Sequence, residues 1–236
     1  MAFNLQTFKT RTGTAVIFAA VMLTGLYWNA WSFSALFILI HFGCWYEFVK
    51  LMKRINPKQY GWMSLLGILY ITVPILMILS VGVKGDYFTN DMKNEITNTL
   101  HYDPLLPCAI IFSIWINDTM AYIVGSFMGK TPFSKISSKK TWEGTIGGAL
   151  LCIAVIALLG SVIPVARVIA VRHWIAIAAI CAVFGTLGDL LESKIKRMAA
   201  VKDSGSFMPG HGGFLDRFDS LLVAIPFVWL YVVLFM

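Results

Sequence analysis

Uninterrupted apolar runs of roughly 16 to 24 residues recur along this chain, each long enough to cross the ~30 Å hydrocarbon core of a bilayer as a helix. They fall near 12–28, 31–51, 61–82, 104–125, 144–163, 170–191 and 214–236. Backbone polar groups inside hydrocarbon must satisfy one another, and a run of this length does so as a helix. The expected fold is therefore all-α, a polytopic integral membrane helical bundle with about seven transmembrane helices. With 58% hydrophobic and 13% charged residues among 236, the composition excludes a soluble globular domain. Lys9 and Arg11 ahead of the first run imitate a signal peptide. More apolar spans follow instead of a soluble domain, so the first run is read as an uncleaved span. No internal repeat, low-complexity segment or long linker divides the chain, and residues 1–236 are expected to form one membrane domain.

The cations are distributed unevenly. The N-terminal tail and the segments 50–60, 126–143 and 192–218 hold 15 of the 19 Lys and Arg residues. By the positive-inside rule these segments face the cytoplasm, with the N-terminus inside and the C-terminus outside. The net charge of +7 expresses that bias, and without a soluble basic domain nucleic acid is not an expected partner. Cys44, Cys108, Cys152 and Cys181 all lie within apolar runs and show no metal-ligand spacing, so they are read as packing residues.

One polar segment stands apart. Residues 193–219 place five cations, three Asp, a Gly-rich turn and a His between two apolar runs. The turn Pro209, Gly210, His211, Gly212, Gly213 can present several backbone N–H groups at a helix start, a favourable place for phosphate. Asp216 and Asp219 follow three apart, on one face of that helix. Phosphate donors, carboxylates suited to a hard cation and nearby cations are the parts that phosphoryl or nucleotidyl transfer requires. On the topology above, Asp118 lies about 10 Å deep from the cytoplasmic end of its helix. Asp189 and Glu192 close the sixth span, while Asp216 and Asp219 open the seventh. An ionisable group at such depth costs about 2.5–3.5 kcal/mol, so these acids are expected to share one polar cavity in the cytoplasmic half.

The same segment resembles the signature of the phosphatidate cytidylyltransferase family (CDP-diacylglycerol synthases). The resemblance runs through Ser193, Lys196, Arg197, Lys202, Asp203, Gly205, Pro209, His211, Gly212, Gly213, Asp216, Arg217 and Asp219. Met208 stands where the family usually has Leu, Ile or Phe. Upstream, Asn117, Asp118, Tyr122, Gly125, Gly129, Lys130 and the stretch from Lys139 to Gly144 resemble its other motifs, with Ser138 in place of the usual Pro. The resemblance is firm from about 115 to 220, which makes 104–236 the expected catalytic part and 1–103 a set of N-terminal helices of weaker resemblance. It implies transfer of a cytidylyl group from CTP to phosphatidic acid, giving CDP-diacylglycerol and pyrophosphate in a bacterial cytoplasmic membrane. The cofactor it implies is Mg2+, with a second cation left open. CTP, phosphatidic acid and the lipid bilayer are the partners, and a homodimer is the expected assembly.

Residue roles follow from position and from the resemblance together. Asp189 and Asp216 are expected as metal ligands, the alternative being simple pairing with Lys or Arg. Asp219 and Glu192 are either ligands or residues that orient Lys196 and Arg217. Asn117 and Asp118 either line the site or form a polar clamp between helices. Lys139, Lys140, Lys196, Arg197, Lys202 and Arg217 are candidate phosphate contacts, with Lys140 and Arg217 foremost; any of them can instead serve membrane orientation or anionic headgroups. His211 is a phosphate donor, a proton donor to the leaving group, or a turn residue, and Gly212 and Gly213 supply the backbone of the phosphate turn. Glu47 is expected to pair with Lys50 or Lys53 outside the site. Gly144, Gly147 and Gly148 suit close helix packing, and Gly185 and Gly188 a helix contact or local unwinding. The enzyme alternatives are other CTP-using lipid enzymes, such as a polyprenol kinase or an ether-lipid cytidylyltransferase. The alternative of another class is an ion-coupled transporter.

Overall fold

The computed structural model describes residues 5–84, 101–134, 136–137, 140–208 and 212–236, with side chains omitted at 5–11, 84 and 101. Lys139 and His211, both named above, lie outside the described residues. The helical spans are α1 (Leu5–Tyr27), α2 (Ala30–Ile55), α3 (Tyr60–Gly82), α4 (Leu105–Met128), α5 (Trp142–Val162), α6 (Val171–Met198) and α7 (Leu215–Phe235). A two-residue antiparallel pair, Val83–Lys84 with His101–Tyr102, brackets the connection between α3 and α4. The protein is all-α and polytopic in architecture. Six of its helices, α2 to α7, are long and apolar enough to cross a membrane. The expected count of seven is not reached among the described residues. α1 carries Lys9 and Arg11 in its N-terminal part, ahead of its apolar stretch.

Small residues allow the helices to approach closely. A Cβ on Gly148 would lie 2.6 Å from the Ala121 backbone, and one on Gly144 would lie 2.8 Å from Gly125 Cα. α4 and α5 therefore cross backbone to backbone. At the far end of α5, the indole of Trp174 fills the space over Gly160 and donates to Ala166 O at 3.1 Å. On α6, a Cβ at Gly188 would lie 2.5 Å from Asp219 O, so that glycine seats α6 directly on the first turns of α7. Of the two readings for Gly185 and Gly188, helix contact is the one found, and α6 continues through both without unwinding. The buried core runs through Phe33, Phe37 and Ile40 of α2, Ile71 and Ile78 of α3, Ile110 of α4, Trp174 and Ile177 of α6, and Leu215 and Val228 of α7.

α6 ends in a motif that turns the chain toward the site. Ala200 adopts φ 54°, Ala200 N donates to Arg197 O at 3.1 Å, and Val201 N donates to Lys196 O at 2.9 Å. This is the pair of bonds that closes a helix over a left-handed residue, here an alanine where glycine is usual.

Candidate active site

The C-terminal ends of α2, α4 and α6 meet the N-terminal ends of α5 and α7, and the polar residues gather at this junction. α6 contributes Asp189, Glu192, Ser193 and Lys196, which the helical period stacks on one face. Lys140, just ahead of α5, forms an ion pair with Asp189. Lys196 pairs with Glu192 one turn below and with Asp216 Oδ1 at 2.6 Å across on α7. Ser193 Oγ donates to Asp189 at 3.3 Å.

Lys140 owes its position to the connection between α4 and α5. Phe133 N donates to Lys140 O at 2.8 Å, and the rings of Phe133 and Trp142 meet edge to face at 4.5 Å. Glu143, in the first turn of α5, accepts from Thr131 Oγ1 at 2.8 Å and from the backbone N–H groups of Lys130 and Thr131. Thr141 caps the helix by accepting from Gly144 N. Within this stretch Thr141, Trp142 and Glu143 build the scaffold, and Lys140 is the residue it presents.

The Gly-rich turn is organised by a residue that sequence reasoning left outside. Glu47 does not pair with Lys50 or Lys53. It is 4% exposed, and it accepts from Phe214 N at 3.0 Å, Leu215 N at 2.9 Å and Ser204 Oγ at 2.6 Å. A carboxylate there satisfies orphan N–H groups at the start of α7 and is favoured by the helix dipole. Cβ atoms on Gly205 and Gly213 would lie 2.1 Å and 2.2 Å from Glu47 oxygens, so these two glycines form the slot that admits it. Gly212 has φ +88° and abuts Asp216, which accepts from Gly213 N at 2.8 Å and from Ser204 N and Oγ, both at 2.9 Å. Ser204 thus ties Glu47 to Asp216. The only sequence signal for Glu47 was an acid inside an apolar span, which normally has a partner. Its partners lie 157 to 168 positions away.

Three acids converge independently of Asp216. Oxygens of Asp189, Glu192 and Asp219 lie within 4.8 Å of one another. Glu192 is wholly buried, and although Lys196 neutralises it, neither of its oxygens accepts a well-formed hydrogen bond. Asp219 is 7% exposed and accepts from Ser220 N at 2.7 Å. A set of hard carboxylate oxygens with free lone pairs fits a divalent cation such as magnesium. Asp216 stands outside this trio, occupied by Lys196, Ser204 and Gly213.

The remaining candidates divide. Asp118 lies within the electrostatic reach of Lys140 and Asp189, which joins it to the junction. Asn117 is buried, with its Oδ1 unpartnered. Arg197 turns away to donate to Val201 O at 3.1 Å, which closes α6. Lys202 and Arg217 are exposed and form no ion pair among the described residues.

Comparison with known proteins bears on the family of the chain. The profile of the Cytidylyltransferase family matches residues 56–235, from the end of α2 to the end of α7. The phosphatidate cytidylyltransferase of Bacillus subtilis (strain 168) is 44% identical over 163 residues, covering 68% of this chain and 57% of that protein. The phosphatidate cytidylyltransferase of Staphylococcus saprophyticus is 45% identical over 156 residues, covering 64% of this chain and 55% of that protein. Phosphatidate cytidylyltransferase 4, chloroplastic, of Arabidopsis thaliana is 44% identical over 119 residues, covering 50% of this chain and 30% of that protein. The chain thus spans little more than half the length of these bacterial relatives. The family match nevertheless takes in every helix from α3 to α7 and all the acids of the junction except Glu47, and the chain belongs to the cytidylyltransferase family.

Proposed function

We propose that this protein transfers a cytidylyl group from CTP to phosphatidic acid, giving CDP-diacylglycerol and pyrophosphate, at the cytoplasmic face of a bacterial membrane. The observation that carries the reading is the convergence of Asp189, Glu192 and Asp219 with Lys140 and Lys196 at one end of a membrane bundle, beside a glycine turn. The cation distribution supports a cytoplasmic site, where CTP arrives from water and the lipid phosphate lies at headgroup level. The partners in this reading are CTP, phosphatidic acid and the bilayer, with a homodimer as the assembly.

In the reaction, an oxygen of the lipid phosphate attacks the α-phosphorus of CTP. A new P–O bond forms as the bond to the β-phosphate breaks, and the electron pair leaves with pyrophosphate. Phosphate monoesters have a second pKa of about 6, so the attacking oxygen is already largely ionised near neutral pH and no strong base is needed. Positioning and charge neutralisation remain to be supplied.

A bound divalent cation would supply neutralisation at the nucleotide phosphates, held by Asp189 with Glu192 and Asp219 beside it. Asp216, the other acid expected as a ligand, is paired with Lys196 and would join the cation once that ammonium turns away. The Lys196 ammonium, now shared by Glu192 and Asp216, then turns to a phosphate oxygen. Lys140 does the same from Asp189, and exposed Arg217 and Lys202 attract the polyphosphate. His211 would donate to a phosphate or to the leaving group, and the backbone of Gly212 and Gly213 would supply the phosphate turn.

Lys140→Met tests the assignment. The KM for CTP is expected to rise about tenfold or more, with that for phosphatidic acid little changed. Equal effects on both would contradict the nucleotide role. Mass analysis of products from phosphatidic acid, a polyprenol and an ether-linked acceptor separates the reading from its enzyme alternatives. Product from a polyprenol alone would replace it.

A further inference from the structure

α3 is irregular near its middle. Pro74 has no N–H to offer the carbonyl four residues back, that of Tyr70, and the helix widens there into a π-turn over Ile68–Thr72. Such turns are rare and concentrate at functional sites. This one packs against α2 and α7. Thr72 is fully engaged, receiving Trp45 Nε1 at 2.9 Å and lying 3.0 Å from His41 Nε2. Tyr70 differs. Its ring lies 5.7 Å from that of Phe48, the neighbour of Glu47, and its hydroxyl is sealed from solvent without a hydrogen-bond partner. An unpaired buried hydroxyl costs about 1–3 kcal/mol and calls for an explanation.

The carboxylates whose charge reaches that hydroxyl are Asp219, Glu192 and Asp189, the three acids of the cluster. Glu192, whose Oε2 is paired with Lys196, also brings a buried Oε1 that lacks a donor. A buried donor without an acceptor thus lies within electrostatic reach of a buried acceptor without a donor, a pairing that one buried water can complete.

We propose that Tyr70 is a positioning residue of the acid cluster, donating through one water to its carboxylates and thereby orienting them toward a divalent cation. The inference rests on the reading that the cluster holds such a cation. The test is Mn2+ binding to the full chain in lipid nanodiscs, followed by electron paramagnetic resonance, for wild type and Tyr70→Phe, with thermal unfolding of both measured free of metal. Loss of an outer partner typically weakens metal binding 10- to 100-fold, so Tyr70→Phe is expected to bind Mn2+ about tenfold more weakly. Its metal-free unfolding temperature is expected to be unchanged or higher, because the lost hydroxyl made no direct bond. Equal affinities overturn the inference, as does a weakening matched by a loss of metal-free stability. A wild type that binds no Mn2+ overturns the cation reading itself.

Discussion

Glu47 and the glycines around it act as one unit, and that unit can be taken apart. Glu47→Ala leaves Phe214 N, Leu215 N and Ser204 Oγ without their acceptor. Stability is expected to fall by about 2–3 kcal/mol, seen as a lower unfolding midpoint in detergent. Gly213→Ala is expected to be similarly damaging, since its methyl would occupy the position of the Glu47 carboxylate. In the Glu47→Ala background the same methyl meets no carboxylate, so the second substitution is expected to cost much less than alone. Additive losses would show that the two residues act separately. At this scale the sequence was informative about Lys196 and Asp216, which lie in a dense polar segment between apolar runs, and about Asp189, an acid closing the span before it. It was silent on Glu47 and Ser204, whose meaning comes from a contact spanning most of the chain. Asp216 is the instructive mixed case: a carboxylate three positions before Asp219 was legible as polar and interfacial, but its capture by Lys196, Ser204 and Gly213 was not.

The helices show which local rules were readable. Span positions followed from apolar run lengths, and the packing role of Gly144 and Gly148 followed from small-residue spacing. The π-turn in α3 did not, although Pro74 marks the place. A proline removes one hydrogen bond, and surrounding packing decides whether the helix kinks, breaks or widens. The end of α6 was equally hidden, because Ala200 is an unusual residue for a left-handed position. Ala200→Gly relieves that conformation and is expected to stabilise the protein by about 1 kcal/mol. No rise in unfolding temperature would contradict the cost assigned to it. Gly188→Ala acts in the opposite sense, since its methyl would meet Asp219 O at 2.5 Å and push α6 off α7. Turnover is expected to fall at least tenfold through misplacement of the acids. Near-normal turnover would mean that the contact tolerates slippage.

For the whole molecule, the membrane bundle and the concentration of polar residues at one end were legible from hydropathy and charge alone. The number of spans was less so, because Lys9 and Arg11 interrupt the apolar character of α1. The strongest long-range economy is that α2, which ends where the family match begins, reaches into the site through Glu47. The catalytic part expected at 104–236 is therefore held in shape by a helix outside it. Magnesium dependence is the central claim at this scale, since the three converging acids outnumber the two lysines paired with them. The most direct measurement is incorporation of labelled CTP into lipid by the purified protein with phosphatidic acid, with and without magnesium. The account predicts labelled CDP-diacylglycerol that forms with magnesium and disappears when the metal is chelated. Folded protein that yields no labelled lipid, or yields it equally well without any divalent cation, would contradict it.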